Sequence, residues 1–385
     1  MELSEARNQV IEAGKRLLHS GLIARTWGNV SCRINENQFV ITPSGRSYEN
    51  LKPEEIVIVN ISDGRPWGNV LPSSESGVHR EVYRLRPEIN FVIHTHQPEA
   101  SVMSALDRDL EAAPGGVFGG TVYCAEYGFP GSVELKNHMG AVIAKGDSRA
   151  LLMAHHGALC LGETMEGAFR VAVSLELLSS HQIKMAFEET LGRPMTMEDS
   201  LYDIILNRLN VPIPEEGCPL YYSHRIGTCM EFFRNEEKHI VELQEDTADF
   251  AETVHRKIYL ARPDIDYLSQ YTSASMLAYS VLGREIATYI DDFAQINGPI
   301  MGCSDLDADG IVAALGENHG VQVKASGVLC CGKTTGDVDA LAMVAEKNAR
   351  AWLISQLFPE EIQAIPREEC DKMRAFYLQS YSKRF

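Results

Sequence analysis

The chain has 385 residues, 45% apolar and 23% charged, the balance of an ordinary globular protein and about twice the length that one domain needs. Its 53 acidic against 35 basic residues leave a formal charge of −18, which argues against nucleic acid as a partner, because phosphate neutralisation needs basic patches and the sequence has none. The nine cysteines form no CxxC pair, Met1–Gln9 is polar and unlike a signal peptide, and no apolar run reaches membrane-spanning length, so the expectation is a cytoplasmic chain with reduced thiols and no membrane partner.

From the N-terminus, apolar periodicity predicts an amphipathic helix over 5–20, ended by Gly21. Short strands follow over 29–34, 39–42 and 56–60, with turn signals at Asn35-Glu36-Asn37 and Ser62-Asp63-Gly64. A helix over 76–86 stops before Pro87. A buried strand over 91–95 precedes a helix starting at Pro98, and a strand over 150–154 precedes a long helix from Gly167 to Glu189. The order predicts an α/β fold, a mixed sheet flanked by helices on both faces.

The sequence also repeats itself. His79-Arg80, Tyr83 and Arg86-Pro87-Glu88-Ile89 return 176 residues later as His255-Arg256, Tyr259 and Arg262-Pro263-Asp264-Ile265. Gly157, Leu159-Cys160, Gly162 and Thr164 return 170 residues later as Gly327, Leu329-Cys330, Gly332 and Thr334. Two blocks in the same order at nearly the same spacing read as a tandem duplication. Gly192 and Pro194 break the helical pattern between the copies, giving domains 1–195 and 196–385.

Chemistry concentrates in the first copy. On a strand, His94 and His96 point to one face, half of a tetrahedral zinc site. His155-His156-Gly157 follows a second apolar strand and offers a third imidazole, leaving an open position for substrate. Pro72-Ser73-Ser74-Glu75 reads either as a helix cap or as an anion site with a base beside a metal. Thr26-Trp27-Gly28-Asn29 and Thr42-Pro43-Ser44-Gly45 suit turns or a phosphate cradle. In the second copy His94, His96 and His156 become Gln270, Thr272 and Ser326, while Ser73-Ser74-Glu75 becomes Asp249-Phe250-Ala251. His79 survives as His255, as a structural residue would. The set lost together is the functional one.

Taken in order, Gly28-Asn29-Val30-Ser31, Thr42-Pro43-Ser44-Gly45, Pro72-Ser73-Ser74-Glu75, His94-Thr95-His96 and His155-His156-Gly157 strongly resemble the class II aldolase/adducin family, with the fuculose-phosphate aldolases nearest. The resemblance covers about residues 1–190 and implies Zn2+ on His94, His96 and His156, with His155 pointing elsewhere. It implies phosphate binding by Gly28, Asn29, Ser44, Gly45, Ser73 and Ser74, and an acid/base role for Glu75. A small phosphorylated sugar would be cleaved or formed through an enediolate that the metal stabilises. Decarboxylation, epimerisation and dehydration occur in the same family, and so do noncatalytic assembly proteins of the adducin kind. Ala112 or Ala113 stands where the resemblance expects a tyrosine that protonates the aldehyde oxygen. The resemblance further implies a homo-oligomer, here two chains forming a pseudo-tetramer, with Tyr377 and Tyr381 as candidate donors.

Overall fold

The computed structural model describes residues 1–23, 27–213, 219–235 and 237–381, which divide into two compact units, Met1–Ala186 and Phe187–Gln379. Unit one runs α1 (Leu3–Ser20), β1 (Asn29–Arg33), β2 (Gln38–Ile41), β3 (Val57–Asn60), β4 (Pro66–Trp67), α2 (Ser76–Leu85), β5 (Phe91–Thr95) and α3 (Pro98–Ser104). It continues with β6 (Tyr123–Ala125), α4 (Val133–Ile143), β7 (Ala150–Met153), β8 (Gly157–Gly162) and α5 (Met165–Leu191), the last turn of which crosses the boundary. The eight strands form one mixed sheet in the order β4-β3-β2-β1-β5-β8-β7-β6.

Alternation along the strands explains how both faces are covered. In β1, Ser31 points to the face where Val78 and Val82 of α2 and Leu135 and Met139 of α4 form the core. Val30 and Cys32 point the other way, toward α1, whose Ala6, Val10, Ala13 and Leu17 make an apolar stripe at helical spacing. Burying Val10 and Leu17 contributes about 1.5–3 kcal/mol each. Gly21 ends α1 in the left-handed region at φ 72°.

Unit two runs α6 (Leu201–Arg208), β9 (Tyr222–Ile226), β10 (Cys229–Arg234), β11 (Glu237–Glu242), α7 (Phe250–Ala261), β12 (Tyr267–Tyr271), α8 (Ala274–Ser280) and β13 (Ile286–Ala287). It continues with α9 (Asp291–Ile296), β14 (Ile300–Met301), β15 (Cys303–Ser304), α10 (Ala308–Leu315), β16 (Gly320–Val323), β17 (Gly327–Gly332), α11 (Thr335–Ser355) and α12 (Arg367–Phe376). Its main sheet has the order β11-β10-β9-β12-β17-β16-β15, the order of unit one without the short outer strand.

Fixed hydrogen bonds recur in both units. Ser31 Oγ joins His79 and Tyr83 at 2.6 and 2.7 Å, and Ser223 Oγ joins His255 and Tyr259 at 2.7 and 2.9 Å. Arg33 donates to the carbonyls of Tyr83, Arg86 and Ile89, as Arg225 does to those of Tyr259, Arg262 and Ile265. The covering of the second face differs. Where Val30 and Cys32 lie buried near α1, unit two has half-buried Tyr222 and His224, and α6 packs on α8 and α11.

Candidate metal centre

The candidate site begins with a helix start. Glu75 occupies the N-cap of α2, yet its carboxylate makes no capping bond; Ser73 Oγ accepts from the Glu75 N–H at 3.3 Å instead. A serine cap with an acidic first turn is therefore not what forms: Glu75 itself is the N-cap residue, and its side chain turns toward the sheet. In unit two Asp249 does cap α7, accepting from the Glu252 N–H.

β5 is buried along its length and carries His94 to its end, opposite Leu159 of β8 and Asn29 of β1. His96 follows one residue beyond the strand. His156 arrives from the elbow between β7 and β8, where His155 sits at φ 58° and Gly157 presses against the Thr95 carbonyl so closely that a Cβ would collide. Here His94, His96 and His156 converge, all buried, with their ligand nitrogens within 4.8 Å of one another. Glu75 Oε1 lies 2.8 Å from His156 Nε2, and Oε2 lies 3.2 Å from His94 Nε2 and accepts from Asn29 Nδ2 at 2.8 Å.

This donor set fits a divalent cation. His94 Nδ1 donates to the Ala158 carbonyl at 3.0 Å, so in the neutral ring Nε2 carries the lone pair, as it does where a backbone carbonyl orients an imidazole toward a metal. His96 Nε2 faces that lone pair at 2.9 Å. Three buried imidazoles beside a carboxylate are donors that a divalent cation takes. Burial pushes the Glu75 carboxyl up, but the charges of His94 and His156 and the hydrogen bonds from His156 and Asn29 outweigh it and hold the group well below the usual carboxylate range.

The candidate anion loops meet beside this centre. A bridge between Pro43 and Pro72, with Ser44 N donating to Leu71 O and Ser73 N to Thr42 O, zips the two together. Those two N–H groups are thereby used inside the protein, so any anion would meet the hydroxyls of Ser44, Ser73 and Ser74 and the N–H groups left over. Ser44 and Gly45 line a cavity of about 460 Å³ with Arg46, Asn69, Val70 and Leu71. Gly28 approaches the end of β5 so closely, at φ 115°, that a Cβ would meet the His94 carbonyl at 2.7 Å. Thr26 lies outside the described residues.

Asn29, a substrate-binding candidate from the sequence, donates its amide to Glu75. Tyr48, whose hydroxyl donates to the Gly28 carbonyl, went unseen; a single tyrosine opening a short 3-10 turn gives no signal in sequence. Ala112 and Ala113 lie in a loop closed by pairing of Leu110 with Val122. Tyr377 is buried, its ring 6.0 Å from the Arg374 guanidinium. Among the described residues no helix is long and apolar enough to cross a membrane.

Comparison with known proteins places this geometry. The profile of the Class II Aldolase and Adducin N-terminal domain matches residues 8–183. Over 179 residues the chain is 36% identical to a 5-deoxy-D-ribulose 1-phosphate aldolase of Bacillus thuringiensis serovar kurstaki, covering 46% of this chain and 83% of that protein. It is 35% identical over 188 residues to an L-fuculose phosphate aldolase of Haemophilus influenzae, covering 48% and 85%. A solved L-fuculose 1-phosphate aldolase overlays with a TM-score of 0.45 at 28% identity, covering 54% of this chain and 96% of that one. With these relatives covered over most of their length, the chain belongs to the class II aldolase and adducin family.

Proposed function

We propose that the chain is a metal-dependent aldehyde-lyase that cleaves, or in reverse forms, a C–C bond of a phosphorylated ketose. The observation that carries this is the convergence of His94, His96 and His156 on one point beside Glu75. When bound by those three histidines, Zn2+ would supply Lewis acidity to the keto oxygen of the substrate. Ser44, Ser73 and Ser74, with Gly28 and Gly45 allowing close approach, would hold the phosphate. On cleavage the C4 hydroxyl gives its proton to the Glu75 carboxylate, the C3–C4 bond breaks, and its electron pair passes to C3 as the enediolate. Glu75 then delivers a proton to C3, or removes one in the condensation direction. Asn29 keeps the Glu75 oxygen in place by donating to it, and burial of the pair excludes water from the proton transfer.

The two units are further proposed to descend from one duplicated segment, domains 1–195 and 196–385. Matching strand order, the two serine–histidine–tyrosine sets and the two arginine clamps support this. The second would be a degenerate copy, and paired chains would form a homo-oligomer in the cytoplasm. The test is metal analysis of the full chain, with a cleavage assay on ketose 1-phosphates and exchange of solvent protons into dihydroxyacetone phosphate. About one zinc per chain, cleavage and exchange are expected; a chain that binds no divalent metal and catalyses no exchange would refute the reading.

A further inference from the structure

The end of the unit-two sheet opposite Gln270 and Ser326 holds a cavity of about 710 Å³, walled by the residues before β16, the end of α9 and α12. The frame beneath it is common to both units. Arg262 donates to the carbonyls of Gly316 and Asn318, as Arg86 does to those of Gly146 and Ser148. The His319 carbonyl accepts from the Cys331 N–H, as the Arg149 carbonyl does from the Leu161 N–H. What stands on that frame differs. Arg149 is paired with Glu163 at 2.7 Å, whereas His319 accepts through Nδ1 from Arg374 at 2.6 Å. Arg374 comes from α12, and no described element of unit one follows α5 to match that helix.

Three groups meet at the floor of this cavity. Arg374 also donates to the Gln295 and Ile296 carbonyls at the end of α9, and no carboxylate of the described residues pairs with it. Burial, with the charge of Arg262 beside it, lowers its guanidinium to about 10 from an ordinary 12.5. Burial and the charges of Arg374 and Arg262 lower His319 to about 4, so near pH 7 the ring is neutral and keeps Nε2–H to donate. Asn297, the C-cap residue of α9, is 1% exposed and lines the cavity, yet neither its Nδ2 nor its Oδ1 has a partner among the described residues. A Cβ on Gly320 would stand 3.4 Å from that Oδ1, which sets the amide beside His319. A buried amide with both atoms idle burdens the fold, and a group offering an acceptor and a donor side by side satisfies it. The mouth is acidic. Asp264 is neutralised by Arg262 at 2.7 Å and Asp371 lies 3.9 Å from Arg367, but Glu285 and Glu317, both exposed, pair with no cation among the described residues.

We propose that unit two binds an α-amino acid with a basic side chain in this cavity. The α-carboxylate lies against the Arg374 guanidinium and the His319 Nε2–H, a cationic floor with no carboxylate of its own. The Asn297 amide donates to that carboxylate through Nδ2 and accepts from the α-ammonium through Oδ1, so both idle atoms are used. The side-chain cation reaches Glu285 and Glu317 at the mouth. The volume is that of a small-molecule site, for which about 300–1,000 Å³ is usual. The test is titration calorimetry of the full chain with L-arginine, against agmatine, which lacks the carboxylate, and L-glutamate, which reverses the side-chain charge. About one L-arginine per chain is expected, with agmatine and L-glutamate weaker by at least roughly tenfold. Asn297→Ala removes the idle amide, so the free variant should melt no lower than the parent while its affinity for L-arginine falls by about tenfold or more. Glu285→Gln combined with Glu317→Gln changes only exposed side chains and should narrow the preference for L-arginine over L-glutamine. No saturable heat with L-arginine at millimolar concentration, agmatine binding as tightly as L-arginine, or an affinity untouched by Asn297→Ala overturns the site. None of these readings depends on the metal or on cleavage.

Discussion

At the ends of β5 and β12 the two units share a register and part in chemistry. His94 stands opposite Leu159 and Gln270 opposite Leu329. Gln270 accepts from the Leu220 N–H and donates to the Ser326 carbonyl, so its amide is satisfied by its own neighbourhood. His94, His96, His156 and Glu75 instead point inward at one another. One edge is closed by hydrogen bonds and the other calls for an ion, on frames held by the same Ser–His–Tyr sets and arginine clamps. Frame and chemistry are separable in this fold, and they reside in different residues.

Removing the inward-pointing groups should have the largest effect. His94→Ala or His156→Ala should take the metal content from about one per chain to none and abolish activity, while Gln270→Ala leaves the metal content alone; elemental analysis and a cleavage assay decide it. Glu75→Gln should keep most of the metal and lose about 10²–10⁴ in rate, measured in steady state. Frame residues should respond alike in both units. Arg33→Ala and Arg225→Ala each remove a donor from three carbonyls, one of which keeps a backbone N–H, and should cost roughly 2–3 kcal/mol by denaturant unfolding.

Acid should act through the frame as well. Burial, aided at His79 by the charge of His94, lowers His79 and His255 to about 3 from an ordinary 6.5. Between those values the unfolded chain binds a proton at each position that the folded chain refuses. Stability is therefore full above pH 6.5 and falls by about 1.4 kcal/mol per pH unit per histidine as pH drops toward 3. Denaturant unfolding from pH 7 to 5 checks this, and His255→Gln should remove one proton from the slope. The smallest effects belong to Tyr83→Phe and Tyr259→Phe, about 1 kcal/mol each, with little difference between them.

Much of this was legible in the sequence, for identifiable reasons. The strand over 91–95 shows as an apolar run, and α2 stops before Pro87, both strong local signals. His94, His96 and His156 stood out because the corresponding positions of unit two hold Gln270, Thr272 and Ser326. What stayed hidden depends on distant pairings. β8 follows its glycine without alternation, since both its faces are buried, and so reads as featureless apolar chain. The turn of Glu75 away from capping depends on histidines 19 and 81 residues further on. Asn29 holding Glu75 is a contact across 46 residues that no spacing rule anticipates.

The pairing of Asn29 with His94 has one more consequence. Because side chains alternate along a strand, a slip of one residue between β1 and β5 would swing Asn29 to the opposite face and leave Glu75 without its donor. The ladder thus works as a gauge of alignment for the Glu75 carboxylate, and the Arg33 clamp at its far end guards the setting. Substitutions along β1 remote from any substrate would then show themselves first as a misplaced proton, before any loss of folded protein.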